Sequence, residues 1–133
     1  MKLYHLMYIS TPTMKVDDEE LMSILDRSRV RNLELQITGA LMRSEEYFLQ
    51  YLEGPQIEIE RLVQKIGTDF RHQNLLTLSK GEMNLRLFPN WGMGFGNGDT
   101  WRKALRHHLN AVRQDVTSQT PIDIIENFLA QYY

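Results

Sequence analysis

The run Tyr47-Phe48-Leu49-Gln50-Tyr51-Leu52, bounded by polar Ser44-Glu45-Glu46 and by Glu53-Gly54-Pro55, predicts a buried strand. Alternation puts Phe48, Gln50 and Leu52 on one face and Tyr47, Leu49 and Tyr51 on the other, and both faces look interior. Gln50 is then an amide among apolar neighbours. Burying it without partners would cost roughly 2 kcal/mol or more, so something beside it must offer both acceptors and donors. Upstream, residues 2–10 alternate into two largely apolar sets and predict a central strand, and residues 11–15 a loop. Asp17 with Glu20 makes a capping-box start for a helix to about Asn32, with Leu21, Ile24 and Leu25 as its apolar face. Ser28 and Asn32 continue that stripe at 3.6 residues per turn. For Asn32 alone, capping of the helix end would be the simpler reading.

Residues 36–43 predict a second strand in which Gly39 marks a bulge or a close approach by another backbone or a ligand. Pro55 suits the first turn of a second helix with Ile59, Leu62, Val63, Ile66 and Phe70 on one face. That helix is expected to run out through Asp69-Phe70-Arg71-His72, where its dipole favours cations. Residues 74–80 predict a fourth strand, and residues 87–95 a fifth with Trp91, Met93 and Phe95 on one face. Asp99 can cap a helix with Trp101, Ala104, Leu105, His108, Leu109 and Val112 on its face. After a link at 113–119, Thr120-Pro121 opens another with Ile122, Ile125, Phe128, Leu129 and Tyr132. This order predicts an α+β chain, ferredoxin-like βαββαβ with a fifth strand and two C-terminal helices. Right-handed crossovers place both long helices on one face of the sheet and leave the C-terminal pair to cover the other.

Composition narrows the function classes. The chain has 133 residues, the size of one domain, and 15 basic against 17 acidic residues, which gives no footprint for nucleic acid. It has no cysteine, which removes disulfides, thiolate metal sites, cysteine nucleophiles and sensors working through a cysteinyl adduct. The N-terminus does not read as a signal peptide and no stretch reaches membrane-spanning length, so a cytoplasmic protein with no membrane partner is expected. The glycines of the 92–98 stretch do not fall into GxGxxG spacing, and a P-loop lysine is missing. His107-His108 is a poor metal signal because adjacent helical residues point about 100° apart, so no metal site is expected.

Gln50, Tyr8, Ser28, Asn32 and Arg71 are all expected between the helices and the sheet. A flat heterocycle with amide-like edges, stacked on Ile24 and Ile66, would satisfy them, as would a core closed by internal hydrogen bonds. The residues leave the two readings evenly weighted.

Over roughly residues 2–97 the sequence resembles the BLUF family of flavin-binding blue-light photoreceptor domains. The likeness rests on Leu6-Met7-Tyr8-Ile9-Ser10, Ser28 with Arg31-Asn32, Ile37-Thr38-Gly39-Ala40-Leu41, Phe48-Leu49-Gln50-Tyr51-Leu52-Glu53-Gly54, Asp69-Phe70-Arg71-His72 and Phe88-Pro89-Asn90-Trp91-Gly92-Met93. The resemblance implies FAD held without a covalent bond. Asn32 would bond the ring edge, Ile24 and Ile66 would sandwich it, and Arg71 and His72 would help hold its polar groups, with Ser28 and Arg31 also in the site. It further implies that Tyr8 donates an electron with a proton, that Gln50 rotates or tautomerises so that the flavin C4 carbonyl gains a hydrogen bond, and that Trp91 and Met93 carry the change outward. The sequence departs from the family pattern at Arg31, at Leu35-Gln36 and at Gly92.

The expected organisation is a flavin-binding domain over 1–97 and a helical extension over 98–133 that packs on the sheet or mediates oligomer or partner contacts. The expected function is a non-enzymatic light sensor acting through a downstream protein, as a homo-oligomer. A flavin-dependent reductase or a flavin-independent interaction module on the same fold are the alternatives, and no nicotinamide fingerprint supports the first.

Overall fold

The computed structural model describes residues 2–13, 17–96 and 98–133. The strands are β1 (Leu3–Pro12), β2 (Thr38–Arg43), β3 (Phe48–Pro55), β4 (His72–Glu82) and β5 (Gly94–Phe95). The helices are α1 (Asp18–Glu34), α2 (Gln56–Gly67), α3 (Gly98–Val112) and α4 (Thr120–Tyr132). One sheet in the order β4-β1-β3-β2-β5 carries the expected α+β, ferredoxin-like arrangement. Among the described residues no helix is long and apolar enough to cross a membrane.

β3 lies in the middle and pairs antiparallel with β1 and β2, and the register sets Tyr8 directly opposite Gln50 and Gln50 opposite Leu41. Residues opposite one another share a face. The sheet therefore brings the phenol and the amide together before any loop is considered. The two faces of β3 are both buried, as its alternation predicts. Phe48 and Leu52 pack with Leu21 and Leu25 of α1 and Ile59 and Leu62 of α2. Leu49 and Tyr51 pack with Leu105 and Leu109 of α3 and with Ile122, Ile125, Phe128 and Leu129 of α4.

Three expectations need correction. The first is the fifth strand, which shrinks from residues 87–95 to Gly94–Phe95, paired parallel with Ala40 and Leu41. The N–H groups of Leu87 and Phe88 go to the Glu53 carboxylate at 2.7 and 2.8 Å, and Pro89 has none, so no ladder forms there. Next, α2 stops at Gly67, so Phe70 is not on its apolar face and is 74% exposed. Finally, the loop expected at 11–15 begins later, since β1 includes Thr11 and Pro12, and its residues 14 and 15 lie outside the described ones.

The start and stop of α1 follow from local chemistry. Asp17 accepts the Glu20 N–H at 2.8 Å as its N-cap. At the other end Gln36 N–H bonds Leu33 O at 3.1 Å and Ile37 N–H bonds Asn32 O at 2.7 Å, a Schellman closure that also pins the Asn32 backbone. Closure needs a left-handed residue, and Gln36 supplies it at φ 61° although glycine is better suited. Gly39 meets its sequence reading, because a Cβ there would lie 1.9 Å from the Tyr51 carbonyl oxygen. We expect Gln36→Gly to raise unfolding stability by about 0.5–1 kcal/mol, read as a higher denaturant midpoint at unchanged slope.

Candidate functional site

A cavity of about 270 Å3 opens between α1, α2 and the sheet. Tyr8, Ile24, Ser28, Arg31, Asn32, Gln50, Ile66, Arg71 and His72 all line it, together with Met93. Trp91 does not.

At its floor the Tyr8 hydroxyl donates to Gln50 Oε1, and Gln50 Nε2 donates to Met93 Sδ at 3.3 Å. The amide that the sequence left without a partner is thus held by a phenol on one side and a thioether on the other. A thioether is a weak acceptor, so the amide N–H is poorly satisfied. Burial pushes the Tyr8 phenol far above its usual range, and the Asp69 carboxylate pushes the same way. Tyr8 is therefore a neutral hydroxyl whose proton has Gln50 Oε1 as its acceptor.

On the α1 wall Asn32 is 2% exposed, and its Nδ2 donates to Gly92 O at 3.1 Å. Its Oδ1 is buried without a hydrogen-bond partner. Leaving such an acceptor unpaired costs about 1–3 kcal/mol. The helix-capping reading of Asn32 is overturned, since backbone N–H groups close α1 and the side chain turns to the cavity. Ser28 donates to Ile24 O at 3.1 Å, so its proton is used within the helix and its oxygen remains as an acceptor.

The far wall is built by the end of α2 and the start of β4. His72 Nε2 donates to Ile66 O, and Nδ1 shares a 2.8 Å hydrogen bond with Ser10 Oγ. Both ring nitrogens are thus engaged in holding the wall. Arg71 is forked onto Asp69, with Nε and the backbone N–H each 2.9 Å from Oδ1. That contact holds the Asp69 carboxyl down at about 2. The expected helix-dipole role for Arg71 does not apply, because the helix has ended four residues earlier.

Trp91 lies on the other side of the sheet from Met93, correcting the expectation that the two share a face. Its indole stands 4.9 Å from Phe88 and 5.1 Å from His108 between ring centroids, in the core under α3. Strand alternation does not hold where no strand forms.

Several residues that shape the site were not singled out from sequence. Arg29 Nε and Nη2 both donate to Met93 O, at 3.0 and 2.9 Å, fixing the residue whose sulfur meets Gln50. Asp69 was read into a helix, where residues two apart do not face each other, so its fork with Arg71 was hidden. Lys65 lines the cavity beside Ile66 and adds a cation at its margin. Glu53 was taken as a polar boundary, yet it is fully buried.

The residues fit the flavin that the resemblance implies. An isoalloxazine ring carries an imide N–H between two carbonyls, and the orphaned Asn32 Oδ1 is an acceptor for such a donor. Ile24 and Ile66 supply apolar walls, and Arg31 and Lys65 supply positive charge for a phosphate-bearing tail.

Comparison with known proteins agrees. The family model described as BLUF, sensors of blue light using FAD, matches residues 3–94. Photoactivated adenylate cyclase subunit alpha of Euglena gracilis is 31% identical over 94 residues, covering 69% of this chain but 9% of that protein. The blue light- and temperature-regulated antirepressor BluF of Escherichia coli is 34% identical over 82 residues, 62% of this chain and 19% of its own length. The chain thus spans a small part of both relatives. Among solved structures, the dark state of the BLUF protein BlrB is similar at TM-score 0.69 and 29% identity, over 98% of this chain and 91% of that one. Klebsiella pneumoniae BlrP1 with FMN and cyclic diGMP is similar at TM-score 0.80 and 27% identity, over 97% of this chain and 35% of that one. The cavity, its polar floor and these likenesses lead to one conclusion: the chain belongs to the BLUF family of flavin-binding blue-light sensors.

Proposed function

We propose that the chain is a blue-light receptor that binds FAD without a covalent bond and acts by changing the donor and acceptor order around Gln50. The observation that carries this is the series Tyr8 hydroxyl, Gln50 amide, Met93 thioether on the floor of a cavity whose wall holds an orphaned acceptor, Asn32 Oδ1. Asn32 and Gln50 would hold the ring edge, Ile24 and Ile66 its faces, and Ser28, Arg31, Arg71 and His72 its polar periphery. When bound, the flavin supplies blue-light absorption and an electron-accepting excited state.

The chain's own part follows from the atoms present. Burial holds Tyr8 as a neutral phenol, and a phenol that has lost an electron is strongly acidic, so electron loss from Tyr8 is accompanied by loss of its proton. Gln50 Oε1 is the acceptor in contact. If the proton stays on Oε1, that oxygen becomes a donor toward the Tyr8 oxygen; if the proton passes on to the ring the cavity would hold, the two oxygens face each other as acceptors and the amide is driven to turn its NH2 toward Tyr8. The opposing bond, to a thioether, is weak enough to give way. The change reaches Met93, whose carbonyl is gripped by Arg29, and then the C-terminal helices. This is a population shift between two arrangements of one amide.

In this reading residues 1–97 sense light, and residues 98–133 form the helical extension that passes the signal to a protein partner or to a second copy. The role is sensing rather than catalysis, in the cytoplasm.

The purified protein is expected to be yellow and, under blue light, to show a small red shift that reverses in darkness. Gln50→Leu should keep the flavin and lose that shift, and a normal shift in this variant would refute the role given to Gln50. Arg29→Ala should keep the flavin and the shift but recover at least threefold faster, because Met93 is no longer fixed. Asp26→Asn, which removes only the charge of Arg29's surface partner, should recover at the parent rate. Flash photolysis of the three proteins decides it.

A further inference from the structure

We infer that His108 is a positioning residue for the switch: its ring seats Trp91 on the α3 side of the sheet and thereby leaves the place beside Gln50 to Met93. The inference rests on the photoreceptor reading and extends it to a residue outside the cavity. His108 is half-buried and stacks on Trp91 at 5.1 Å and 28° and on Phe88 at 5.4 Å and 21°. Its Nε2 donates to Leu87 O, so α3 is tied to this segment by a directed bond as well as by ring contact. The neighbouring His107 is exposed and shares none of this.

The seat is shaped for the indole from the opposite side too. A Cβ on Gly94 would come within 2.1 Å of the Trp91 ring, so the indole lies directly on glycine backbone. The segment is then held at each step: Trp91 O accepts from Gly39 N at 3.0 Å, Gly92 O from Asn32 at 3.1 Å, and Met93 O from Arg29. Indole and thioether are the two ends of this short, gripped stretch. A pull on Met93 from the Gln50 amide is opposed at the other end by the His108 stack, and α3 feels the reaction.

The test uses the full flavin-loaded chain and two readouts: the rate of dark recovery, and the light-minus-dark difference in amide hydrogen exchange over Gly98–Val112. His108→Ala is expected to keep flavin content and initial red shift, to recover at least threefold faster, and to lose most of the exchange difference. His108→Phe keeps a stacked ring and loses the Leu87 bond, and should recover within twofold of the parent. His107→Ala should match the parent in both readouts. An alanine variant at position 108 with parental recovery and an undiminished exchange difference would overturn the inference, as would a phenylalanine variant as fast as the alanine one. Should His108→Ala not fold, Gly94→Ala unseats the indole from its other side, and parental recovery there would equally overturn it. A parent protein with no reversible shift sinks the photoreceptor reading itself, and this inference with it, which is a different result from a normal parent and an indifferent His108.

Discussion

The structure depends on a carboxylate that water does not reach. Glu53 is 0% exposed and accepts from Leu87 N–H, Phe88 N–H and the Thr38 hydroxyl. Burial pushes its carboxyl up while these donors pull it back. Arg86 bonds Thr38 Oγ1 at 2.8 Å and the carbonyls of Glu53 and Gln36, so positive charge lies one contact away. A buried charge left without such partners would cost several kcal/mol. By taking two N–H groups from the 87–88 stretch, Glu53 keeps that stretch out of the sheet. Freed from strand alternation, Trp91 can turn to one side and Met93 to the other.

What was legible in the sequence is what periodicity and local capping encode. The two-faced burial of β3, the apolar stripes of α1 and α4, and the Asp17 cap all follow from spacing, and the structure keeps them. The Gln50 puzzle was legible because an amide in an apolar run violates its surroundings, and its answer sat on the neighbouring strand at Tyr8. The illegible parts share one cause: a backbone group satisfied by a distant side chain leaves no local trace. Nothing near Met93 announces that Arg29 holds its carbonyl, and nothing near Leu87 announces Glu53. The same ignorance turned 87–95 into a strand and put Trp91 beside Met93.

The cavity brings two imperfectly matched amides, Asn32 and Gln50, to one place. Elsewhere many polar groups are answered, as where His5 meets Gly81 O and Ser79 Oγ and Arg113 meets Asp123, Glu126 and Gln119, although the Tyr51 hydroxyl and Arg102 Nε are also buried without a partner. Here Asn32 keeps an unanswered oxygen, and Gln50 makes do with sulfur. Any ligand that answers these atoms binds the folded chain alone, so it adds to folding stability in proportion to the logarithm of its concentration over its dissociation constant. The imperfect lining is a binding affinity held in reserve.

The near-complete burial of Tyr8 and Gln50, 3% and 8% exposed, has a consequence for the balance of matter in the proposed cycle. With the cavity filled by its ligand, a proton passed from the phenol to the amide would be shielded from bulk solvent, so the same proton would be at hand for the return. Such a device would exchange no proton with its surroundings between illumination and rest. Its return in darkness would then need no outside proton donor.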